Sequence, residues 1–138
     1  MIRIKKGLDI PIYGSPAEDI VDSKKSRSVA ILGSDYIGMK PTMLVDEGDI
    51  VKIGQPLFED KKNPGVIVTS PAGGKVEAIN RGDRRVLQSI VIEISQNEDS
   101  IQFDNFSLDT LTNCSSDLIR DQLIKSGMWT SFRTRPYS

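Results

Sequence analysis

The residues of this chain that could carry out acid–base or metal chemistry are few. The sequence contains no histidine and one cysteine, Cys114. Histidine is the commonest metal ligand and a frequent general base, and one cysteine cannot close an internal disulfide or build a cysteine metal site. Serine–histidine and cysteine–histidine nucleophiles and zinc hydrolysis therefore cannot be assembled from this chain alone. The sequence predicts no catalytic residue and no metal site, and cofactor-binding residues stay unknown.

Two adjacent acids, Asp46 and Glu47, precede a tight turn. Paired carboxylates for acid–base catalysis must converge on one site. Neighbouring residues of a strand instead point to opposite faces. The sequence therefore favours a solvated corner over a catalytic pair.

Three arginines, Arg81, Arg84 and Arg85, cluster before the longest predicted strand. Such a group could hold a carboxylate or a phosphate in bidentate fashion. A solvated hairpin or a contact with another domain is the favoured interpretation.

Two glycines, Gly33 and Gly38, stand close before Lys40 and suggest a phosphate loop. A phosphate loop has a longer glycine spacing and a Gly-Lys-Ser/Thr ending that opens a helix. Here Pro41 follows the lysine and β segments follow Pro41. The sequence predicts a structural turn at residues 33–43 rather than a nucleotide site.

The elements that position these residues are short strands separated by glycine and proline. Residues 44–76 alternate apolar pieces with Gly, Asp and Pro at fixed offsets, which is typical of a small antiparallel β structure with tight corners. We predict strands at residues 2–6, 28–32, 66–68, 74–80 and 86–94, and a further strand that begins at Leu57-Phe58. In the strand at residues 86–94, Ile90, Ile92 and Ile94 lie on one face. A short edge strand is predicted at residues 101–103.

A helix is predicted after the polar connector at residues 96–100. Ser115 or Ser116 would cap it, Asp117 would lie in its first turn, and Gly127 would stop it. Its predicted apolar face consists of Leu118, Ile119, Leu123 and Ile124. The chain is thus divided into a β domain at residues 1–100 and, at residues 101–138, a connector, a helix and the start of a next domain. The sequence also predicts that the chain is a fragment or has been cut at a domain boundary.

The totals describe an ordinary soluble protein. The 138 residues are 38% hydrophobic and 27% charged, with a formal net charge of −1. This balance argues against a nucleic-acid partner. No apolar run approaches the roughly 20 residues that span a bilayer, and the basic N-terminus leads into no signal-type apolar core. We expect a cytosolic or cytosol-facing location.

The spacing of the central segment resembles the lipoyl/biotinyl-carrier fold, a barrel-sandwich hybrid. The family pattern V-x-x-G-D-x-V-x-x-G-x-x-L, followed by a hairpin and V-x-[AS]-P-x-x-G-x-V, is matched by Val45, Gly48, Asp49, Val51, Gly54, Leu57, Val68, Ser70, Pro71, Gly74 and Val76. The fold class implied is mainly β, with a short C-terminal helix. Fold alone does not define the chemistry.

The hairpin at residues 60–65 is where carrier domains of this fold hold their modified lysine. That lysine lies eight residues before the proline of the [AS]-P step, a count that reaches Asn63 when started from Pro71. Lys61 and Lys62 stand one or two places too early, and the Asp-Lys-Ala or Met-Lys-Met triplet is missing. Lipoylation and biotinylation are therefore not expected.

Longer stretches extend the resemblance beyond the fold. They resemble the A-subunit family of sodium-translocating NADH–quinone reductases and run through the chain in order, at residues 4–11, 38–41, 58–65, 79–82, 85–89, 126–129 and 133–136. Members of that family are considerably longer, so the resemblance implies the N-terminal portion of such a protein.

The resemblance implies a bacterial respiratory complex that passes electrons from NADH through flavins and iron–sulfur centres to ubiquinone and exports sodium. The A subunit is its peripheral member on the cytosolic face of the inner membrane, and it has been linked to quinone binding. The implied partners are the other subunits and the missing C-terminal part of the same polypeptide. Membrane contact would be indirect, through the partner subunits.

We expect a scaffold role for this segment, with no cofactor bound by the segment itself and no catalysis by it alone. Two alternatives stay open. One is a quinone-binding module that uses an apolar pocket near Trp129, Phe132 and Tyr137. The other is a lipoyl- or biotin-type carrier domain.

Overall fold

The computed structural model describes residues 13–22 and 24–132. The strand predicted at residues 2–6 and the aromatic Tyr137 lie outside the described residues. Residues 13–22 and 24–27 form no helix or strand, as the prolines, glycines and charges of this segment predict.

Seven strands and two helices make up the regular structure of the described residues. The strands are β1 Ser28–Leu32, β2 Pro41–Met43, β3 Ile50–Val51, β4 Pro56–Asp60, β5 Ile67–Thr69, β6 Gly74–Arg81 and β7 Leu87–Ile94. The helices are α1 Leu108–Leu111 and α2 Ser116–Lys125. Three-residue or four-residue 3-10 turns lie at Gly33–Asp35, Asp83–Arg85 and Met128–Ser131. The prediction of a mainly β chain with a short C-terminal helix is confirmed.

The strands form two antiparallel sheets. One has the order β1-β7-β6-β3 and the other the order β2-β4-β5. β6 and β7 form the longest hairpin, in which Val76 lies opposite Ile92 and Ile79 opposite Ile90. β1 adds to the other edge of β7, with Ile31 opposite Ile90. The glycine-punctuated sequence therefore folds into a small, strongly curved pair of sheets.

Apolar side chains from both sheets meet in one core. Its members are Ile31, Val45, Val51, Leu57, Phe58, Val68, Val76, Leu87, Ile90 and Ile92. Phe58, Leu57, Ile90 and Ile92 are at most 1% exposed, and each such side chain contributes about 1.5–3 kcal/mol by leaving water. The face predicted for β7 is confirmed, with Ile90 and Ile92 buried, Ile94 half-buried and Glu93 exposed.

Helix α2 packs its C-terminal end against the smaller sheet. The Ser115 hydroxyl accepts a hydrogen bond from the Leu118 N–H, and Gly127 adopts a left-handed conformation with φ of 75°, so both predicted helix signals are confirmed. A Cβ on Gly127 would lie 2.9 Å from the Thr69 hydroxyl oxygen of β5. The 3-10 turn that follows α2 therefore rests directly on that strand.

Two predictions about this region are corrected. Ile119, Leu123 and Ile124 are half-buried, but Leu118 is exposed because the contacts of α2 lie at its C-terminal end, where Ile124 meets Gly65. Residues 101–103 are not a strand. Ile53 instead forms a single parallel bridge with Ser100. The Ile53 N–H donates to the Asp99 carbonyl oxygen, and the Ile101 N–H donates to the Ile53 carbonyl oxygen. The pairing ends there because the chain turns at Gly54.

Some short elements differ from the sequence interpretation. The sequence predicts a turn at residues 33–43, yet Pro41–Met43 pairs with β4 as an edge strand. The two-residue strand β3 and the single-turn helix α1 are not predicted by the sequence either. Strands β1 and β6 lie where they are expected, and β5 begins one residue later than expected.

Candidate functional site

The tip of the β4–β5 hairpin is organised by a buried carboxylate. Asp60 is 4% exposed and accepts hydrogen bonds from the N–H groups of Lys40 and Lys62 at 3.0 and 3.1 Å, and from the Asn63 side-chain amide at 2.6 Å. Burial alone would raise the pKa of Asp60, but these hydrogen bonds and the Lys62 charge outweigh burial and hold the pKa below its ordinary value. The carboxylate is therefore ionised at neutral pH and serves as a structural acceptor.

The same hairpin is fastened to the loop at residues 33–40. The Lys62 ammonium donates a 2.7 Å hydrogen bond to the carbonyl oxygen of Gly38, and the Lys61 N–H donates to the carbonyl of Lys40 at 2.9 Å. Both lysines of this hairpin, Lys61 and Lys62, thus contact the loop. The hairpin and the loop form one unit that borders two cavities.

The first cavity, which we name the aromatic cavity, has a volume of about 580 Å³. It lies between the loop, the hairpin and the 3-10 turn after α2, and its lining includes Tyr36, Ile37, Met39, Asn63, Trp129 and Phe132. The rings of Trp129 and Phe132 are 5.8 Å apart and tilted by 48°. The structure therefore brings together two of the three aromatic residues singled out in the sequence. It adds Ile37 and Met39, which no local sequence signal indicates.

The second cavity, which we name the basic cavity, has a volume of about 320 Å³. Its apolar wall includes Met39, Phe58 and Leu87, and its basic side consists of Lys40, Arg81, Arg84 and Arg85. Tyr36 packs edge-on against Phe58 with ring centroids 5.7 Å apart. Burial and, to a lesser extent, the nearby Asp35 charge raise the pKa of Tyr36, so its hydroxyl is neutral at physiological pH.

The arginine cluster of the sequence therefore lies at this second cavity. Sequence reasoning finds Arg81, Arg84 and Arg85 from their closeness along the chain, but it does not connect them with Lys40. That connection depends on the position of the loop beside the β6–β7 hairpin. No local pattern in the sequence encodes it.

The acids Asp46 and Glu47 do not converge on a site. Both are exposed, and Glu47 accepts a 2.7 Å hydrogen bond from the Ile79 N–H of β6. The backbone N–H of Asp46 donates to the Asp49 carboxylate at 2.9 Å. These contacts fix the corner before β3.

Metal-ligand clusters and membrane-spanning helices are both missing from residues 13–22 and 24–132. In this part of the chain, no three His, Cys, Asp or Glu side chains are grouped so that they could hold a metal ion. None of the helices found there has both the length and the apolar character needed to cross a membrane. Cys114 is a half-buried free thiol whose sulfur lies 3.2 Å from the Thr110 carbonyl oxygen.

The chain has two curled antiparallel sheets around one core, and hydrogen bonds hold its β4–β5 hairpin to the loop at residues 33–40. This architecture is that of a β sandwich-hybrid domain. The chain belongs to the family described as the NqrA N-terminal barrel-sandwich hybrid domain, whose model matches residues 2–95. The resemblance to the A subunits of sodium-translocating reductases and the predicted barrel-sandwich hybrid fold are thereby confirmed.

Curated relatives agree with this family. The chain is 54% identical over 138 residues to a protein of Yersinia pseudotuberculosis serotype O:1b (strain IP 31758) and 58% identical over 138 residues to one of Photorhabdus laumondii. It is 55% identical over 138 residues to one of Haemophilus influenzae (strain PittEE). Each relative is named as the A subunit of a Na(+)-translocating NADH-quinone reductase. These matches cover 100% of this chain and 31% of each relative's length.

Proposed function

We propose that this chain is the N-terminal segment of the A subunit of a sodium-pumping NADH:ubiquinone oxidoreductase, where it serves as a scaffold. In this role it lies peripherally on the cytosolic face of the bacterial inner membrane and reaches the membrane only through partner subunits. NADH, flavins, iron–sulfur centres and ubiquinone serve electron transfer elsewhere in the complex. The segment itself holds no redox cofactor and contributes position rather than catalysis.

The observation that carries this proposal is an exposed apolar group beside the aromatic cavity. Ile37 is 92% exposed, Phe132 63% and Met128 53%. Large apolar side chains gathered at one place on a surface typically mark an interaction site. The rigid hairpin and loop behind them hold this surface in one shape, which lowers the entropy lost on docking. The proposed partner is a neighbouring subunit of the reductase.

The test uses the assembled reductase with an Ile37→Asp substitution in the A subunit. A charge at this site would have to be buried without a partner on docking, so the variant complex is expected to lose most of its A subunit. The measurement is the amount of the A subunit that copurifies with an affinity tag on another component of the complex. Ile50→Asp is the matched control, because Ile50 is 71% exposed on β3. Equal retention of the A subunit in both variants would overturn the docking role.

A second candidate function, quinone binding, is favoured by the aromatic cavity itself. Its volume of about 580 Å³ is within the range of small-molecule sites, and Trp129, Phe132 and Met39 offer apolar and aromatic contacts to a ring. The Asn63 side chain, which also lines the cavity, offers a polar group to a carbonyl oxygen. In this alternative the segment contributes a quinone contact to the complex in addition to its position.

Trp129 is the only tryptophan of the chain, so its fluorescence reports on this cavity alone. A soluble quinone analogue is expected to quench this fluorescence saturably at micromolar concentration, and Phe132→Ala is expected to weaken the response. Quenching that grows linearly without saturation, or is unchanged in Phe132→Ala, would count against quinone binding here. It would leave the docking role untouched, since copurification is measured separately.

A further inference from the structure

The turn between β6 and β7 holds two consecutive arginines in an unusual backbone conformation. Arg84 has φ of 54° and ψ of 26°, and Arg85 has φ of 62°. Left-handed backbone is unfavourable for residues with a Cβ, and glycine or asparagine normally takes such positions. Backbone strain of this kind concentrates at functional sites, where the surrounding structure maintains it. The turn therefore keeps two arginines where a glycine would be easier to accommodate.

Both arginines line the basic cavity, together with Lys40 and Arg81. Four cationic side chains and no acidic one are found among its described lining residues. The two ion pairs formed within the described part of the chain, Lys52–Asp99 and Arg120–Asp117, involve none of these four residues. Asp35 and Asp83 lie close by in sequence but do not line the cavity. The described lining of the cavity therefore carries four positive charges, none of which forms an ion pair with an acidic side chain of the described residues.

Part of the cavity lining is apolar and belongs to the buried core. Phe58 is 1% exposed and Leu87 6%, so both are fixed in the core, and Met39 completes the wall. Tyr36, which packs edge-on against Phe58, also lines the cavity. A ligand in this cavity would have an apolar body against the wall and hydrogen-bond acceptors toward the arginines.

We propose that the basic cavity binds a small organic anion, in which an apolar ring packs on Phe58, Met39 and Leu87 and a phosphate or carboxylate is held by Lys40, Arg81, Arg84 and Arg85. Guanidinium groups bind these oxyanions through paired, charge-assisted hydrogen bonds. The volume of about 320 Å³ suits a ligand of one or two rings. This size favours a small ligand over an acidic peptide. The proposal is independent of the docking and quinone roles.

The probe for the test is 1-naphthyl phosphate, titrated into the 138-residue chain and followed by calorimetry. Two smaller compounds test the two parts of this ligand separately. Inorganic phosphate carries only the charged group, and 1-naphthol carries only the rings. Saturable binding of 1-naphthyl phosphate is expected. Each smaller compound is expected to bind at least about tenfold more weakly, because each loses one set of contacts.

The variant is Arg84→Asn with Arg85→Asn, since asparagine tolerates left-handed backbone and the turn should keep its shape. It is expected to weaken binding of 1-naphthyl phosphate about tenfold or more. Lys75→Gln with Lys125→Gln is the control, because it removes the same number of positive charges from residues outside the cavity. The control should bind within about twofold of the unmodified chain.

Three results would overturn the proposal. One is the absence of saturable binding at millimolar 1-naphthyl phosphate. Another is equal weakening in the arginine variant and the lysine control, which would show an effect of net charge alone. The third is equal affinity for inorganic phosphate and 1-naphthyl phosphate, which would show that the apolar wall takes no part. Circular dichroism of each variant establishes that it is folded before its affinity is compared.

Discussion

The buried carboxylate of Asp60 accepts a 3.0 Å hydrogen bond from the backbone N–H of Lys40, twenty residues earlier in the chain. This contact joins the tip of the β4–β5 hairpin to the loop that separates the two cavities. Both cavities therefore depend on one side chain that lines only one of them.

We expect Asp60→Ala to lower the free energy of unfolding by about 2–4 kcal/mol, because it removes a buried charged acceptor on which three partly buried donors depend. The donors are the N–H groups of Lys40 and Lys62 and the Asn63 amide. Urea unfolding measures the change. Asp104→Ala, at an exposed position, should change the free energy of unfolding by less than about 0.5 kcal/mol. Similar decreases in the free energy of unfolding in both variants would show that the hydrogen bonds to Asp60 do not stabilise the fold.

The lowered pKa of Asp60 predicts the direction of acid sensitivity. A carboxyl whose folded-state pKa is below its unfolded value stabilises the fold at pH values above the unfolded pKa of about 3.9. That stabilisation is lost as pH falls through the lower folded-state pKa. Asp60→Asn should therefore be less stable than the unmodified chain at neutral pH, and the difference should shrink in acid. A stability difference that does not change with pH would contradict a lowered pKa of Asp60 in the folded state.

Gly127→Ala should weaken the packing of the 3-10 turn at Met128–Ser131 against strand β5. The change adds both left-handed strain at φ of 75° and a contact with Thr69, for a combined cost of about 2–3 kcal/mol. Gly48→Ala is the matched control, since Gly48 has φ of 96° but nothing within 4 Å of its Cβ position. Gly48→Ala should cost only about 1 kcal/mol. Trp129 fluorescence measures the local change in packing, and thermal unfolding measures the change in the stability of the whole domain. Equal losses of stability in Gly127→Ala and Gly48→Ala would show that the Thr69 contact adds nothing.

Arg84→Gly should stabilise the chain by about 0.5–1 kcal/mol, because relief of left-handed strain exceeds the entropy that glycine adds to the unfolded state. Lys75→Gly, on an exposed strand position of β6, should instead destabilise by about 0.5–1 kcal/mol. Chemical denaturation of both variants compares the signs. A loss of stability in Arg84→Gly would mean that the arginine side chain itself supports the turn.

Locally encoded features are the ones that the sequence predicts well. The long strands β6 and β7 show their alternation within eight residues each, and α2 shows its Ser115 cap and Gly127 stop within one stretch. Each signal lies inside the element that it specifies. The strand β2 is not predicted because Pro41 is typical of a strand breaker. An edge strand tolerates proline, which has no backbone N–H, at a position where no neighbouring strand needs a donor.

The cavities could not be predicted in the same way, because they depend on contacts between distant parts of the chain. Asp60 and Asn63 carry the spacing of a side-chain-capped turn, a local signal that could have drawn attention to the carboxylate. Its bond to Lys40 has no such signal. Likewise, Lys40 joins Arg81, Arg84 and Arg85 only because the sheets curl and bring their connections together.

Strand β5 is one of the two edge strands of the smaller sheet, and Gly127 lies against its Thr69 side chain and near the Ile67 carbonyl oxygen. An uncovered outer strand offers its backbone to foreign strands and invites aggregation. Gly127 and the 3-10 turn after α2 lie beside this strand. A glycine that ends a helix thus also shields the domain against intermolecular strand addition, and loosening it would expose the protein to self-association.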